Sequence, residues 1–268
     1  MKGFVYHAIY DFKTGLRDKT LMLMNYLFPL GFFLLVGTFM TKINPFFAEI
    51  MVPGMLLFAL MSSSLLSLPG TLVTSRESGV YRSFRVHGIP SYSLITIPII
   101  GNLFHAAIVC ALITVLSSLF FGGVLPVHWG WFAMVFILSA LCLSTLGMLI
   151  GIVSQSSRAT VLIAQAFYLP SVLLGGLMVP ADQLPASLTA VASLFPATHA
   201  IRAFSFYAYG KTPPGAVMAN PLLVMVAGII INTVLCFTLF QWDTRPVGRK
   251  RLLFGLLSLT PFVVSALL

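Results

Sequence analysis

A polytopic bundle of six or seven transmembrane helices is the fold class this sequence predicts, and three observations carry the prediction. Fifty-nine per cent of the 268 residues are hydrophobic and only 8% are charged, against roughly a quarter charged in a soluble globular chain. The mean hydropathy is +1.01, and the apolar residues gather into runs of the length, about 20 residues, that a helix needs to cross a hydrocarbon core of about 30 Å. The few charges fall almost entirely in the gaps between those runs.

The elements follow in chain order. Residues 2–19 predict an amphipathic helix: at about 100° per residue, Val5, Ile9, Phe12 and Leu16 share one stripe, Lys2, Lys13 and Arg17 cluster beside it, and Asp11 and Asp18 lie further round. Such a helix lies along the inner membrane surface with its basic side at anionic headgroups, which makes membrane lipid its expected partner. Spans are predicted at 21–41, 50–73, 93–122, 130–154, 159–180, 221–241 and 252–268. The last has 17 residues, about 26 Å at about 1.5 Å per residue, enough to span a thin region of bilayer or to lie partly in the interface, and a seventh span that carries the C-terminus outside is expected.

Orientation comes from Lys and Arg, which stay on the cytoplasmic side when close to span ends. Of the 15 basic residues, twelve lie in gaps that share a side with the N-terminus: Lys2, Lys13, Arg17, Lys19, Arg76, Arg82, Arg85, Arg158, Arg245, Arg249, Lys250 and Arg251. Only Lys42, Arg202 and Lys211 lie on the other. The N-terminus is therefore expected in the cytoplasm, and the net charge of +9 reads as a topology signal, with no nucleic-acid partner. No cleavable signal pattern precedes the first span, and one membrane domain over 1–268 with no soluble domain attached is expected, in a bacterial or archaeal inner membrane.

Two gaps carry more than topology. Residues 74–91 predict a short cytoplasmic helix between Gly79 and Gly88, with Pro90 disfavouring its continuation through Ile89. A loop that sets only topology needs charge alone. This one adds Tyr81 and Phe84, which suit a docking surface or equally aromatics at the headgroup level, and composition leaves the two open. Residues 181–220 are too apolar for a free loop. Leu184, Leu188, Val191 and Phe195 form a helical stripe, Pro196 breaks it, and Thr198 is placed to cap a second short helix through His199, Arg202 and Phe206. A helix pair dipping into the outer leaflet is expected, because irregular backbone at that depth must be buried in protein or line a cavity.

Few residues carry recognisable chemistry. Five histidines show no metal spacing, and the six acidic residues include no pair poised for acid–base work, so neither a metal nor a catalytic site is expected. Cys110, Cys142 and Cys236 fall inside spans, where a thiol packs. Polar residues within spans, namely Ser63, Ser67, Asn102, His105, Gln165 and Asn232, either line a substrate path or hydrogen-bond neighbouring helices. Gly210-Lys211-Thr212 imitates the end of a phosphate-binding loop, but Ser205 stands where a glycine is required and Pro213-Pro214 disrupts the helix that would hold the phosphate. ATP and Mg are expected on a partner chain.

The run Arg76-Glu77-Ser78-Gly79-Val80-Tyr81-Arg82-Ser83-Phe84-Arg85-Val86, followed by Pro90, resembles the "R-E-x-G-T-x-x-R-L-R-V…P" segment of type-2 ABC exporter permeases. Pro170, Leu174, Gly175, Gly176, Pro180, Leu184, Pro185, Leu188, Phe195, Pro196, Arg202 and Gly210 are similar to that family's external "P…L-x-G…P…L-P…P…A-x-R…G" signature. The resemblance implies a permease subunit that pairs with a second copy or a paralogue and is driven by cytoplasmic ATP-binding-cassette ATPase subunits. It implies that 74–91 is the coupling segment, with Arg76, Glu77, Gly79, Arg85, Val86 and Pro90 as matched positions, and that 2–19 is a membrane-surface elbow. Val80, Ser83 and Phe84 depart from the pattern, and Arg82 offers a charge one residue early. An outward-moving amphipathic, lipid-like or drug cargo is implied. Its rivals are an intramembrane enzyme, a retinal protein, which needs a lysine in the final span, and an ion-coupled transporter, which needs an intramembrane carboxylate.

Overall fold

The computed structural model describes residues 2–15, 17–44, 47–177, 185–211, 220–243 and 253–267. Among them every regular element is helical. Helix α1 (Lys2–Gly15) precedes the long apolar helices α2 (Lys19–Ile43) and α3 (Phe47–Glu77). The short α4 (Val80–Val86) leads to α5 (Ser91–Phe121), α6 (Trp129–Val153) and α7 (Ser157–Leu174). Two short helices, α8 (Ala186–Ala192) and α9 (Pro196–Ala203), come before α10 (Pro221–Leu239) and the shorter apolar α11 (Leu253–Leu267). Among the described residues six helices are long and apolar enough to cross a membrane.

Helices α3 and α6 form the axis. Their apolar windows are 89% and 83% buried, against 22–39% for α2, α5, α7 and α10, so the outer four present most of their surface to the surroundings. The two axial helices touch at backbone distance. A Cβ on Gly147 would lie 1.8 Å from the Ser64 carbonyl oxygen, and one on Gly151 would lie 3.1 Å from that of Pro69. Glycines four residues apart on α6 thus admit the backbone of α3, as small residues do at close helix crossings in membranes.

Prolines explain why α2 and α3 are not uniform. A proline inside a helix lacks the N–H its turn needs and crowds the preceding carbonyls. Pro29 follows a π-turn at Leu23–Leu27, and Pro69 follows another at Ser62–Ser67. Each widened turn makes room for the ring but frees a carbonyl, since the Phe28 N–H goes back to Leu23 and the Leu68 N–H to Ser63. The freed Met24 carbonyl accepts Ser62 Oγ at 3.0 Å. The freed Ser64 carbonyl is the one that faces Gly147.

Boundaries differ from the sequence expectation where packing overrides punctuation. The second span continues to Glu77, because Leu72, Val73 and Arg76 are buried against the bundle, so the start of the 74–91 gap belongs to α3, and the helix expected between Gly79 and Gly88 is Val80–Val86. The first helix stops at Gly15, and Asp18 starts α2 by accepting the N–H groups of Thr20 and Leu21. The expected cap Thr198 lies inside α9, with Phe195 preceding Pro196 at the helix start. Its hydroxyl instead donates to the Ala192 carbonyl and closes the end of α8. Helix α11 rises from Gly255, whose Cβ would lie 3.3 Å from Val153, to Phe262, packed on Gly228 and His199. It contains a 3-10 turn, Leu256–Leu259, after its first three residues, and with the α-helical remainder gives about 25 Å of rise.

Gly147→Ala places a methyl group on a backbone carbonyl that cannot swing aside. We expect it to cost at least about 3 kcal/mol, the upper range for overpacking, whereas Gly130→Ala, at a site with nothing within 4 Å, leaves the melting temperature near that of the native chain. Thermal melting of the detergent-solubilised protein measures both. Equal melting of Gly147→Ala and the native chain would show that the helices do not meet there.

Candidate functional site

At the end of the bundle where α3 finishes, two successive side chains clamp the α6–α7 turn. Arg76 is 7% exposed and donates from its guanidinium to the Ile152 and Ser154 carbonyls, the last acceptors of α6. A cation there satisfies orphan carbonyls and complements the negative end of the helix dipole. Glu77 does the reverse for α7: its carboxylate accepts the Ser157 N–H at 3.2 Å and the Ser157 hydroxyl at 2.6 Å, a negative charge at a positive helix end. The Arg-Glu pair read from the sequence as a coupling feature is therefore also a structural staple joining three helices.

Past the staple the chain turns at Gly79, whose φ of +78° a residue with a Cβ adopts only at about 1–2 kcal/mol, and enters α4. One face of α4 is turned inward. Tyr81 is 5% exposed and packs near Phe240. Burial raises its hydroxyl pKa, helped by the Asp11 charge. Phe84 is half-buried and packs edge-on against His7 and Tyr10 of α1. The two aromatics expected to project toward a partner therefore hold α4 to the bundle and to α1. Arg82, Ser83, Arg85, Val86 and His87 form the exposed face, with Arg82 paired to Asp243 at 2.6 Å.

The polar residues assigned to a path separate into groups. Asn102 donates to Ser64 and Ser144 hydroxyls, both at 2.9 Å, which ties α5, α3 and α6 together in the interior. His105, one turn further along α5, bonds Tyr26 of α2 at 2.5 Å. Ser63 turns back to its own Leu60 carbonyl, Gln165 is half-buried on α7, and Asn232 is fully buried with both amide atoms unpartnered. Ser67 is buried with its hydroxyl unpartnered. The six do not line one continuous route. Sequence reasoning did not single out Tyr26, Ser144, or the pair Gly147 and Gly151, although the glycine spacing was there to read.

At the opposite end, Pro170 lies within α7, Gly175 ends that helix and Gly176 has φ +82°. Pro180 and Leu184 lie outside the described residues. Pro185 precedes α8, Pro196 opens α9, and Gly210 (φ +64°) ends the π-turn Phe204–Ala208 that extends it. Helix α9 is buried among the spans, as backbone off the regular helices must be at depth. His199 hydrogen-bonds the Ser193 carbonyl at 2.8 Å, and burial draws its pKa down to about 4 despite that bond. Arg202 reaches toward the Ser193 hydroxyl, and Lys211 pairs with Glu49 at 2.7 Å. Among the described residues no three His, Cys, Asp or Glu side chains gather as metal ligands.

A bundle of six membrane-length helices among the described residues, stapled at one end beside a short solvent-facing helix, defines an integral membrane protein. The family model for the ABC-2 type transporter matches residues 6–209, well over half of the chain, and the chain belongs to that family. It is a membrane permease subunit of an ABC transporter, a class that works with ATP-binding-cassette ATPases. Over 238 residues it is 23% identical to the "Putative transport permease YvfS" of Bacillus subtilis (strain 168), covering 85% of this chain and 93% of that protein. No solved structure matches it.

Arg76→Met keeps the bulk of the side chain but removes both donors, and charged hydrogen bonds of this kind are worth about 1.5–3 kcal/mol. We expect faster amide hydrogen exchange across 154–160, partly restored in Arg76→Lys. Native exchange rates in Arg76→Met would show that the staple does not hold the turn.

Proposed function

We propose that the chain is the permease of an exporter that moves an amphipathic, lipid-like or drug-like molecule outward from a bacterial or archaeal cytoplasm, with the N-terminus inside and a second copy or paralogue completing the path. ATP and Mg are held by the partner ATPase. One observation carries this reading: the exposed face of α4 is joined, through buried Tyr81, the turn at Gly79 and the Arg76–Glu77 staple, to the ends of α3, α6 and α7. A push on α4 is passed to three spans at once, since a short turn and charge-assisted bonds leave little slack between them. The twelve-to-three distribution of basic residues supports the orientation that puts α4 inside.

The purified chain is expected to hydrolyse no ATP by itself and to support ATP-driven transport in vesicles only with its ATPase. Arg85→Glu and Val86→Asp, both on the exposed face of α4, are expected to reduce co-purification with the ATPase or to uncouple hydrolysis from transport about tenfold, the scale of a lost charged contact, with unchanged melting. Native assembly and transport in both variants would remove α4 from the coupling role.

A further inference from the structure

A cavity of about 500 Å³ lies beneath α1, walled by α1, the start of α2, the last turns of α3, α4 and the first half of α5. That volume is in the range of small-molecule sites, about 300–1,000 Å³. Its polar atoms have a common character. His7, Asn25 and Ser67 line it at 4%, 7% and 7% exposure, and His7 Nδ1, Asn25 Oδ1 and Ser67 Oγ have no hydrogen-bond partner. His7 also has a backbone hydrogen bond at Ser93 of α5. Asp11 also lines the cavity, its carboxylate against α5 near Gly101, with no hydrogen bond or ion pair among the described residues. Burial raises its pKa to about 6, which leaves it ionised at neutral pH.

Unpaired buried acceptors and an unpaired carboxylate are costly unless a donor arrives. No Lys or Arg is among the lining residues, and the remaining titratable groups there are Tyr10, Asp18, Tyr81 and His105. Leu21, Leu72, Ile97 and Phe104 supply an apolar wall. Val5 and Ile9 of the α1 apolar stripe are turned outward, while Phe12 packs on Phe104 and His105, so α1 places its acid and its histidine on the cavity side. We infer that this cavity binds an amphiphile bearing a protonated primary amine, its ammonium paired with Asp11 and its hydrocarbon laid against Leu72, Ile97 and Phe104. A primary ammonium offers a positive charge and N–H donors to a carboxylate that has no other partner among the described residues. The inference rests on the cavity and not on the transport reading, because binding needs neither the ATPase nor a direction of movement.

The test titrates dodecylamine into the full chain in phosphatidylcholine nanodiscs, with protein-free discs subtracted and dodecanol as the uncharged control. Saturable binding at least about tenfold tighter for the amine is expected, with a loss of about tenfold in Asp11→Asn. A group whose folded pKa is raised loses its charge as pH falls through that pKa, so native affinity should drop about tenfold between pH 7.5 and 5 while Asp11→Asn stays flat. Ala8→Trp, which fills the cavity from α1 and leaves Asp11 in place, should abolish binding, and it carries the test if Asp11→Asn does not fold. Repeating the titration in discs containing phosphatidylethanolamine separates the sources: competition marks the ligand as a membrane lipid's amine, and undiminished binding marks it as a free one. Equal affinity for amine and alcohol, or native affinity in Asp11→Asn or Ala8→Trp, overturns the inference.

Discussion

Everything in this bundle is arranged around the backbone contact of α3 with α6. In an apolar solvent there is little hydrophobic drive between helices, so association depends on packing density and on satisfying polar backbone. Gly147 and Gly151 let α6 approach until it meets the carbonyls of Ser64 and Pro69. The same stretch places Ser64 and Ser144 where Asn102 bonds both, which fixes α5 to the seam. A larger residue at Gly147 would separate three helices, because the glycine contact and the hydroxyl cluster lie one turn apart on α6.

The two prolines belong to the same economy of backbone groups. Each is tolerated because a π-turn ahead of it widens the helix, and each freed carbonyl is met by a neighbour: Ser62 Oγ for Met24, and Gly147, close enough for a Cα–H contact, for Ser64. Ser62 and Ser64 thus bridge two interfaces, to α2 and to the α5–α6 seam. Their placement accounts for a polar run in the most buried helix of the chain without assigning it to cargo.

The membrane class and the span order were legible, because charge-free length and the siding of Lys and Arg are properties of segments, and segments tolerate local error. Single-residue roles were harder to read. Asp18 could be recognised as a helix cap only by knowing that the preceding helix ends at Gly15. Arg76 resembled a docking charge because its true acceptors, the carbonyls of Ile152 and Ser154, are backbone groups 76 and 78 positions away and leave no trace in side-chain chemistry. Tyr81 was offered to a partner for the same reason: composition shows an aromatic in a polar loop but not the direction in which it turns. The path residues were chosen one by one as polar groups in apolar helices, and only coordinates could show Asn102 joined to α3 and α6 while His105 reaches α2.

Helix α4 has two dependencies that meet. Its outer face is open to solvent, and its inner face, through Val80, Tyr81 and Phe84, is a wall of the cavity beneath α1. A ligand that fills the cavity presses on the element that is stapled, one turn away, to the ends of α6 and α7. A shift of α4 changes the cavity in return, since reciprocity is a thermodynamic requirement whenever one element contacts two sites. If α4 moves, the size of that coupling is set by how differently the cavity holds a ligand before and after the shift. An unpaired carboxylate is well suited to make that difference large, because Asp11 gains much from a cation at contact and little from one displaced by a few ångströms in a wetter cavity.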